Sequence, residues 1–115
     1  MWKIEFYRTE SGRYPVVDFI DSLDAGAKAR LLGVLDLLEE FGINLRMPYA
    51  RHVEKQLWEL RARHGRNRYR IIYFLAFEDT FMLLHGFTKK TDIIPAKELK
   101  TARLRLTDFL GKRRR

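Results

Sequence analysis

The hydrophobic pattern of residues 2–42 predicts one strand followed by two helices. Between residues 2 and 7, apolar and polar side chains alternate, which is the period of a half-buried strand. After a polar break, apolar side chains recur at helical spacing, first in a short segment that Pro15 opens and then over residues 27–41. Gly42 follows at a position where glycine commonly ends a helix. We therefore expect a helical hairpin after the first strand.

The second half of the chain has the pattern of an antiparallel meander followed by one helix. Residues 43–55 contain no sustained period and are predicted to form a loop. Three segments rich in β-branched and aromatic residues follow, at 57–62, 68–77 and 80–87. Pro95 then opens a helix with one apolar face. The predicted fold class is α+β, in the order β-α-α-β-β-β-α, with the helical hairpin and the C-terminal helix packed on a mainly antiparallel four-stranded sheet.

The length of the chain, 115 residues, is that of a single domain. We expect residues 1–111 to form this domain and residues 112–115 to form a basic tail. A hydrophobic content of 46% is enough to fill a core and excludes intrinsic disorder. The chain has no cysteine, which excludes disulfides and thiolate metal sites and fits a reducing compartment, so we expect a cytoplasmic protein. The longest apolar stretch, residues 71–77, is too short to span a membrane.

The charge of the chain favours a polyanionic partner. Lys and Arg number 23 against 15 Asp and Glu, which gives a formal net charge of +8. The balance is acidic over residues 18–42, with six acids and two bases, but basic over residues 51–70 and 100–115. The predicted helical hairpin should therefore face away from a nucleic acid, and the sheet and last helix should carry the positive field.

Register arithmetic brings basic residues of neighbouring strands to one face of the predicted sheet. A type II′ turn at Gly65-Arg66 pairs Arg61 with Arg70. A second turn confined to residues 78–79 pairs Arg70 with Phe87. A single β-bulge in either hairpin would move some of these side chains to the other face. The arithmetic predicts that four cationic or ionisable side chains converge around Phe87: Arg61, Arg70, His85 and Lys89.

Opposed arginines on neighbouring strands repel each other and are stabilised by an anion. Glu59 on the same face is one candidate anion, which would make the pair purely structural, and an RNA phosphate is another, because guanidinium groups bind phosphate oxygens bidentately. A neighbouring aromatic ring could stack on an unpaired base, so single-stranded RNA fits both features. The candidate substrate-binding residues are Arg63, Arg68, Tyr69, Phe87 and Glu59.

Three segments resemble one known toxin family in order and spacing. Residues 57–61 read Leu-Trp-Glu-Leu-Arg, residues 69–74 Tyr-Arg-Ile-Ile-Tyr-Phe, and residues 83–91 Leu-Leu-His-Gly-Phe-Thr-Lys-Lys-Thr. They resemble the phage-derived, HigB-like branch of the RelE/ParE toxin superfamily, and the likeness extends over nearly the whole chain. One departure is Ile94, which stands where the family usually has a threonine that caps the last helix.

The resemblance implies a RelE-like fold and the toxin of a type II toxin–antitoxin system. Such a toxin is a metal-independent, cofactor-free endoribonuclease that cleaves mRNA at the ribosome and is held inactive by a cognate antitoxin. The catalytic residues carried over by the resemblance are Arg61, Arg70, His85, Lys89 and Lys90. Chemistry leaves the proton acceptor open. His85 has a suitable intrinsic pKa, and Lys89 or Lys90 could serve if nearby arginines lower theirs. Glu59, which shares the face of Arg61, ranks after His85 and Lys89.

Other functions remain open at this stage, although nucleotide cofactors and metals are disfavoured. The glycines form neither a P-loop nor a dinucleotide fingerprint, and the three histidines lack metal-ligand spacing. One alternative is a ParE-like poison of DNA gyrase, which acts by protein contact and cleaves nothing. The other is a basic protein that binds nucleic acid without catalysis.

Overall fold

The computed structural model describes residues 1–113, which form a mixed five-stranded sheet with helices on both faces. The strands are β1 (Lys3–Phe6), β2 (Ala50–Glu54), β3 (Leu57–His64), β4 (Asn67–Phe77) and β5 (Thr80–Lys89). The helices are α1 (Pro15–Asp21), α2 (Ala25–Phe41) and α3 (Ala96–Arg113), with a 3-10 turn at Gly42–Asn44.

The sheet has the strand order β1-β5-β4-β3-β2, in which β1 runs parallel to β5 and the other pairs are antiparallel. Helices α1 and α2 cover one face over a core that includes Leu60, Ile71 and Leu83. Helix α3 covers the opposite face over a second cluster that includes Ile72 and Phe74. The predicted α+β class and helical hairpin are confirmed, but the sheet has five strands instead of four.

The fifth strand lies in the segment that the sequence predicts to be a loop. β2 (Ala50–Glu54) is a short edge strand, and its pairing with β3 shifts between His52 and Glu54. A bulge of this kind breaks the alternation of apolar and polar residues. Exposed Arg51 and His52 further remove any apolar period. The prediction of a loop over residues 43–55 was therefore wrong for residues 50–54, because β2 lacks the alternation from which strands were predicted.

Backbone geometry at the end of α2 confirms the expected role of Gly42. Its φ is +54° and its ψ is −125°, a conformation that glycine alone adopts readily. A Cβ atom there would also come within 2.0 Å of the Trp2 ring. At the other end of α2, the Asp24 side chain caps the helix by accepting a hydrogen bond of 2.9 Å from the Ala27 amide.

The predicted register of the β3–β4 hairpin is confirmed. His64 pairs with Asn67 across a two-residue turn, and Gly65 has the positive φ of +61° that its turn position requires. As a result Arg61 lies opposite Arg70.

The β4–β5 pairing contains two register shifts that cancel each other. One lies between Leu75 and Phe77, and the other lies between Ile72 and Tyr73. The first adds a residue to β4 and the second adds one to β5, so the register near the β3–β4 turn is the predicted one. Arg70 accordingly pairs with Phe87.

Helix α3 extends further than the sequence predicts. Lys112 and Arg113, assigned to a basic tail, continue the helix, and the Arg113 guanidinium donates to the Ala76 carbonyl. Residues 114 and 115 lie outside the described part of the chain. Ile94, which stands where the resemblance predicts a capping threonine, packs against the apolar cluster beneath α3. None of the helices within residues 1–113 is both long and apolar enough to cross a membrane.

Candidate nucleic-acid interface

A buried carboxylate lies at the centre of the basic sheet surface. Glu59 is fully buried in β3, and its Oε1 accepts a hydrogen bond of 2.8 Å from Arg61. The same oxygen lies 3.0 Å from the Arg51 guanidinium. The second oxygen, Oε2, lies 3.7 Å from Nε of Arg70. Glu59 is thus an anion that offsets the repulsion between the paired arginines.

The loop after β5 supplies a second anion. Arg68 donates a hydrogen bond of 2.8 Å to the Asp92 carboxylate, and the Lys89 ammonium donates one of 2.7 Å to the Asp92 main-chain carbonyl. We use the name basic cluster for the five cations around these two acids: Arg51, Arg61, Arg68, Arg70 and Lys89. Five cations against the carboxylates of Glu59 and Asp92 leave a surplus of three positive charges.

Burial makes this surplus costly for the protein. Arg70 is 3% exposed, and its burial, followed by the nearby charge of Arg61, lowers its pKa to about 10. Burial also lowers the pKa of the Lys89 ammonium, and the positive charge of Arg70 lowers this pKa further. Within residues 1–113, neither Glu59 Oε2 nor Arg70 Nε has a hydrogen-bond partner. An added anion would therefore relieve charge repulsion in the basic cluster.

His85 lies on the same face but belongs to a different set of contacts. A bulge in β5 turns both Leu84 and His85 toward α3. Arg105 of α3 lies 3.0 Å from Nδ1 of His85, and Glu98 lies 3.1 Å from Nε2. Because arginine only donates, Nδ1 must accept, and Nε2 carries the proton and donates to Glu98. Burial lowers the pKa of His85 despite the Glu98 contact, so the neutral ring is favoured.

The remaining predicted residues differ in their exposure. Arg63 is exposed opposite Arg68, and Lys90 is exposed one residue beyond the end of β5. Tyr69 and Phe87 are buried in the two apolar clusters on opposite faces of the sheet. The expectation that one of these two rings stacks on a base is therefore not supported by their placement, because each ring is packed among the apolar side chains of its cluster.

Sequence reasoning missed four residues that contact the predicted ones. Arg51 was missed because β2 was predicted to be a loop. Asp92, Glu98 and Arg105 were missed because no periodicity relates a loop or a helix to the strand that it contacts. The turn at Lys55-Gln56 is the signal that could have identified Arg51, because a two-residue hairpin there brings β2 beside Glu59.

A pocket of about 590 Å³ adjoins the basic cluster. Leu60 is the last residue of β3 that pairs with β2, and the pocket lies beside the part of β3 that continues beyond Leu60. One wall is formed by α2, another by Pro48 and Tyr49, and the third by the β3–β4 hairpin. Within residues 1–113, no group of three or more histidine or acidic side chains is placed to hold a metal ion.

The fold and the basic cluster together define a small α+β protein with a surplus of positive charge at one end of its sheet. The chain belongs to the family of phage-derived Gp49-like proteins (DUF891), whose model matches residues 18–107. This family is of the toxin–antitoxin type. No curated protein matches the chain.

Proposed function

We propose that this protein is a cytoplasmic toxin of a type II toxin–antitoxin system, of the HigB-like RelE/ParE type. Its activity is that of an endoribonuclease that cleaves mRNA at the ribosome without a metal or cofactor. A cognate antitoxin protein keeps it inactive. Membership of a phage-derived family of the toxin–antitoxin type supports the biological role. The observation that carries the activity is the surplus of three positive charges in the basic cluster.

The basic cluster suits a phosphate that gains negative charge during a reaction. In the proposed step the 2′-hydroxyl oxygen forms a bond to the adjacent phosphorus, and the bond from phosphorus to the 5′-oxygen breaks. The products are a 2′,3′-cyclic phosphate and a 5′-hydroxyl. Arg61 and Arg70 stabilise the charge that accumulates on the phosphoryl oxygens, and each such donor typically contributes about 3 kcal/mol. Their fixed positions beside Glu59 require little reorganisation during the step.

We assign the proton transfer from the 2′-hydroxyl to Lys89. Its pKa is lowered mainly by burial, which increases the fraction that can accept a proton. With Lys89 in this neutral form, the four arginines of the basic cluster still exceed the carboxylates of Glu59 and Asp92 by two charges. His85 fits this role less well, because both of its ring nitrogens are engaged by Arg105 and Glu98. Glu59 is also less suited, because its charge stabilises the arginines around it. The 5′-oxygen takes up a proton from water as it leaves.

The experiment adds purified protein to a reconstituted translation reaction and maps the mRNA ends by primer extension. We expect cuts within the coding sequence, each leaving a 2′,3′-cyclic phosphate. Arg61→Ala should slow cleavage about 100-fold, the loss expected for one donor to the transition state. Arg13→Ala removes the same charge from an exposed position and should cleave like the wild type.

Two results would overturn the endoribonuclease proposal. Intact mRNA together with DNA breaks that depend on gyrase would identify a ParE-like gyrase poison. Intact mRNA with tight, salt-dependent RNA binding would identify a basic nucleic-acid-binding protein without catalysis.

A further inference from the structure

The pocket beside the basic cluster combines two chemically different surfaces. Among residues 1–113, Asp92 is the one acid that lines the pocket. Its cationic side is formed by five arginines: Arg30, Arg61, Arg63, Arg68 and Arg70. Its apolar side includes Val34 and Leu37 of α2. Tyr49, which is 43% exposed, adds an aromatic ring. None of these apolar or aromatic residues takes part in the proposed reaction.

This combination matches a nucleotide better than a protein segment. A nucleotide joins a flat, largely apolar base to an anionic phosphate, and unpaired bases commonly stack on tyrosine. The volume of about 590 Å³ lies within the range of about 300–1,000 Å³ typical of small-molecule sites. Arg61 and Arg70 belong to both the pocket and the basic cluster, so a ligand could contact both at once.

We propose that this pocket binds one unpaired nucleobase of the RNA next to the linkage held by the basic cluster, with Tyr49 as its stacking partner. The proposal rests on the proposed function for the identity of the ligand as RNA. It assigns Tyr49 and the α2 wall to base recognition, a role separate from the cationic groups that act on the phosphate. Contact with a base beside the cleaved linkage would make this pocket the determinant of sequence preference.

Gly33 allows a direct test of the pocket. It lines the pocket from α2, and a Cβ atom built on it meets nothing within 4 Å. Gly33→Leu would therefore begin its side chain in open space at the pocket wall, where the longer side chain takes up pocket volume. A Cβ atom built on Gly111 of α3 also meets nothing within 4 Å, and Gly111 does not line the pocket, so Gly111→Leu is a matched control.

The probe is a fluorescent RNA hexanucleotide with 2′-O-methyl riboses, which block the proposed cleavage, compared with an abasic hexanucleotide of the same charge. Binding is measured by fluorescence anisotropy. We expect the wild type and Gly111→Leu to bind the base-bearing RNA about tenfold or more tighter, as one aromatic stack provides. Gly33→Leu and Tyr49→Ala should lose this preference but keep the affinity for the abasic strand. Tyr49→Phe should retain the preference.

Equal affinity of the wild type for the two strands would overturn the proposal. So would an unchanged preference in both Gly33→Leu and Tyr49→Ala. If hexaglutamate displaces the base-bearing strand at lower concentration than the unlabelled strand does, the pocket binds an acidic protein segment instead. Thermal unfolding shows whether Gly33→Leu is folded, and Tyr49→Ala at its exposed position provides a second test.

The outcomes for the two proposals are separable. A retained base preference without mRNA cleavage would contradict the proposed function alone. Cleavage that keeps its sequence preference in both pocket variants would contradict the base pocket alone.

Discussion

Glu59 determines whether the basic cluster is tolerated in the folded protein. It is fully buried and faces Arg51, Arg61 and Arg70. Glu59→Gln leaves buried Arg70 and its neighbours Arg51 and Arg61 without their anion, and the removal of one partner from a buried ion pair typically costs about 3–5 kcal/mol. We expect a loss of this size in the free energy of unfolding, measured by urea denaturation at pH 7.

Added phosphate provides an internal check on this prediction. Phosphate should stabilise Glu59→Gln more than the wild type, because the variant has one more uncompensated cation. Glu54→Gln is the matched control, since Glu54 pairs with Arg103 at the surface and should lose much less stability. Equal losses in the two variants would show that Glu59 does not have this role.

His85 should make the stability of the protein sensitive to mild acid. Burial lowers its pKa from the ordinary value of 6.5. Just below pH 6.5, His85 is therefore protonated in the unfolded chain but stays neutral in the folded protein. The stability contributed by the neutral ring is therefore complete above pH 6.5 and is lost as pH falls toward the folded pKa. One such proton gives a slope of at most about 1.4 kcal/mol per pH unit.

The test compares the wild type with His85→Gln by urea unfolding between pH 7.5 and pH 5. The variant keeps a side chain that can bond to Glu98 and Arg105 but does not titrate. We expect its free energy of unfolding to fall less steeply with acid than that of the wild type. Parallel profiles would mean that His85 titrates alike in the folded and unfolded chains.

At the level of elements, Gly86 permits α1 to pack against β5. A Cβ atom on Gly86 would lie 2.4 Å from a ring carbon of Phe19, so Phe19 or the strand would have to move. Gly86→Ala should cost about 1–3 kcal/mol in unfolding free energy, as overpacking typically does. Gly33→Ala should instead gain about 0.5–1 kcal/mol, because it meets no atom within 4 Å and alanine favours the helix. Chemical denaturation of both variants should give effects of opposite sign.

The elements also show what the sequence can and cannot predict. The pairing of Arg61 with Arg70 follows from a short turn and strand parity, and both are local properties. The pairing of Arg70 with Phe87 was predicted by counting, although two opposite bulges lie between it and the turn. β2 was missed because an edge strand with a bulge carries no alternation. The partners of His85 on α3 depend on how a helix sits on a sheet, which periodicity does not specify.

At the level of the whole molecule, the charges separate in space as they do in the sequence. Residues 18–42 carry six acids and two bases, whereas residues 51–70 carry seven bases and two acids. Helices α1 and α2 cover the face opposite α3, the basic cluster lies on the α3 face, and α2 reaches the cationic surface only at the pocket beside the edge of β3. An RNA strand should therefore approach the end of the sheet that carries the basic cluster.

This arrangement predicts the salt dependence of RNA binding. A surplus of three positive charges should engage about three phosphates, and each phosphate contact on a single strand contributes about 0.7 to the slope of log affinity against log salt. We expect a slope of about −2 for the uncleavable hexanucleotide and about −1.4 for Arg61→Ala. Arg13→Ala lowers the net charge equally but lies outside the basic cluster, so its slope should stay at the wild-type value. If both variants shift the slope alike, the affinity comes from overall charge, and the basic cluster has no special part in binding RNA.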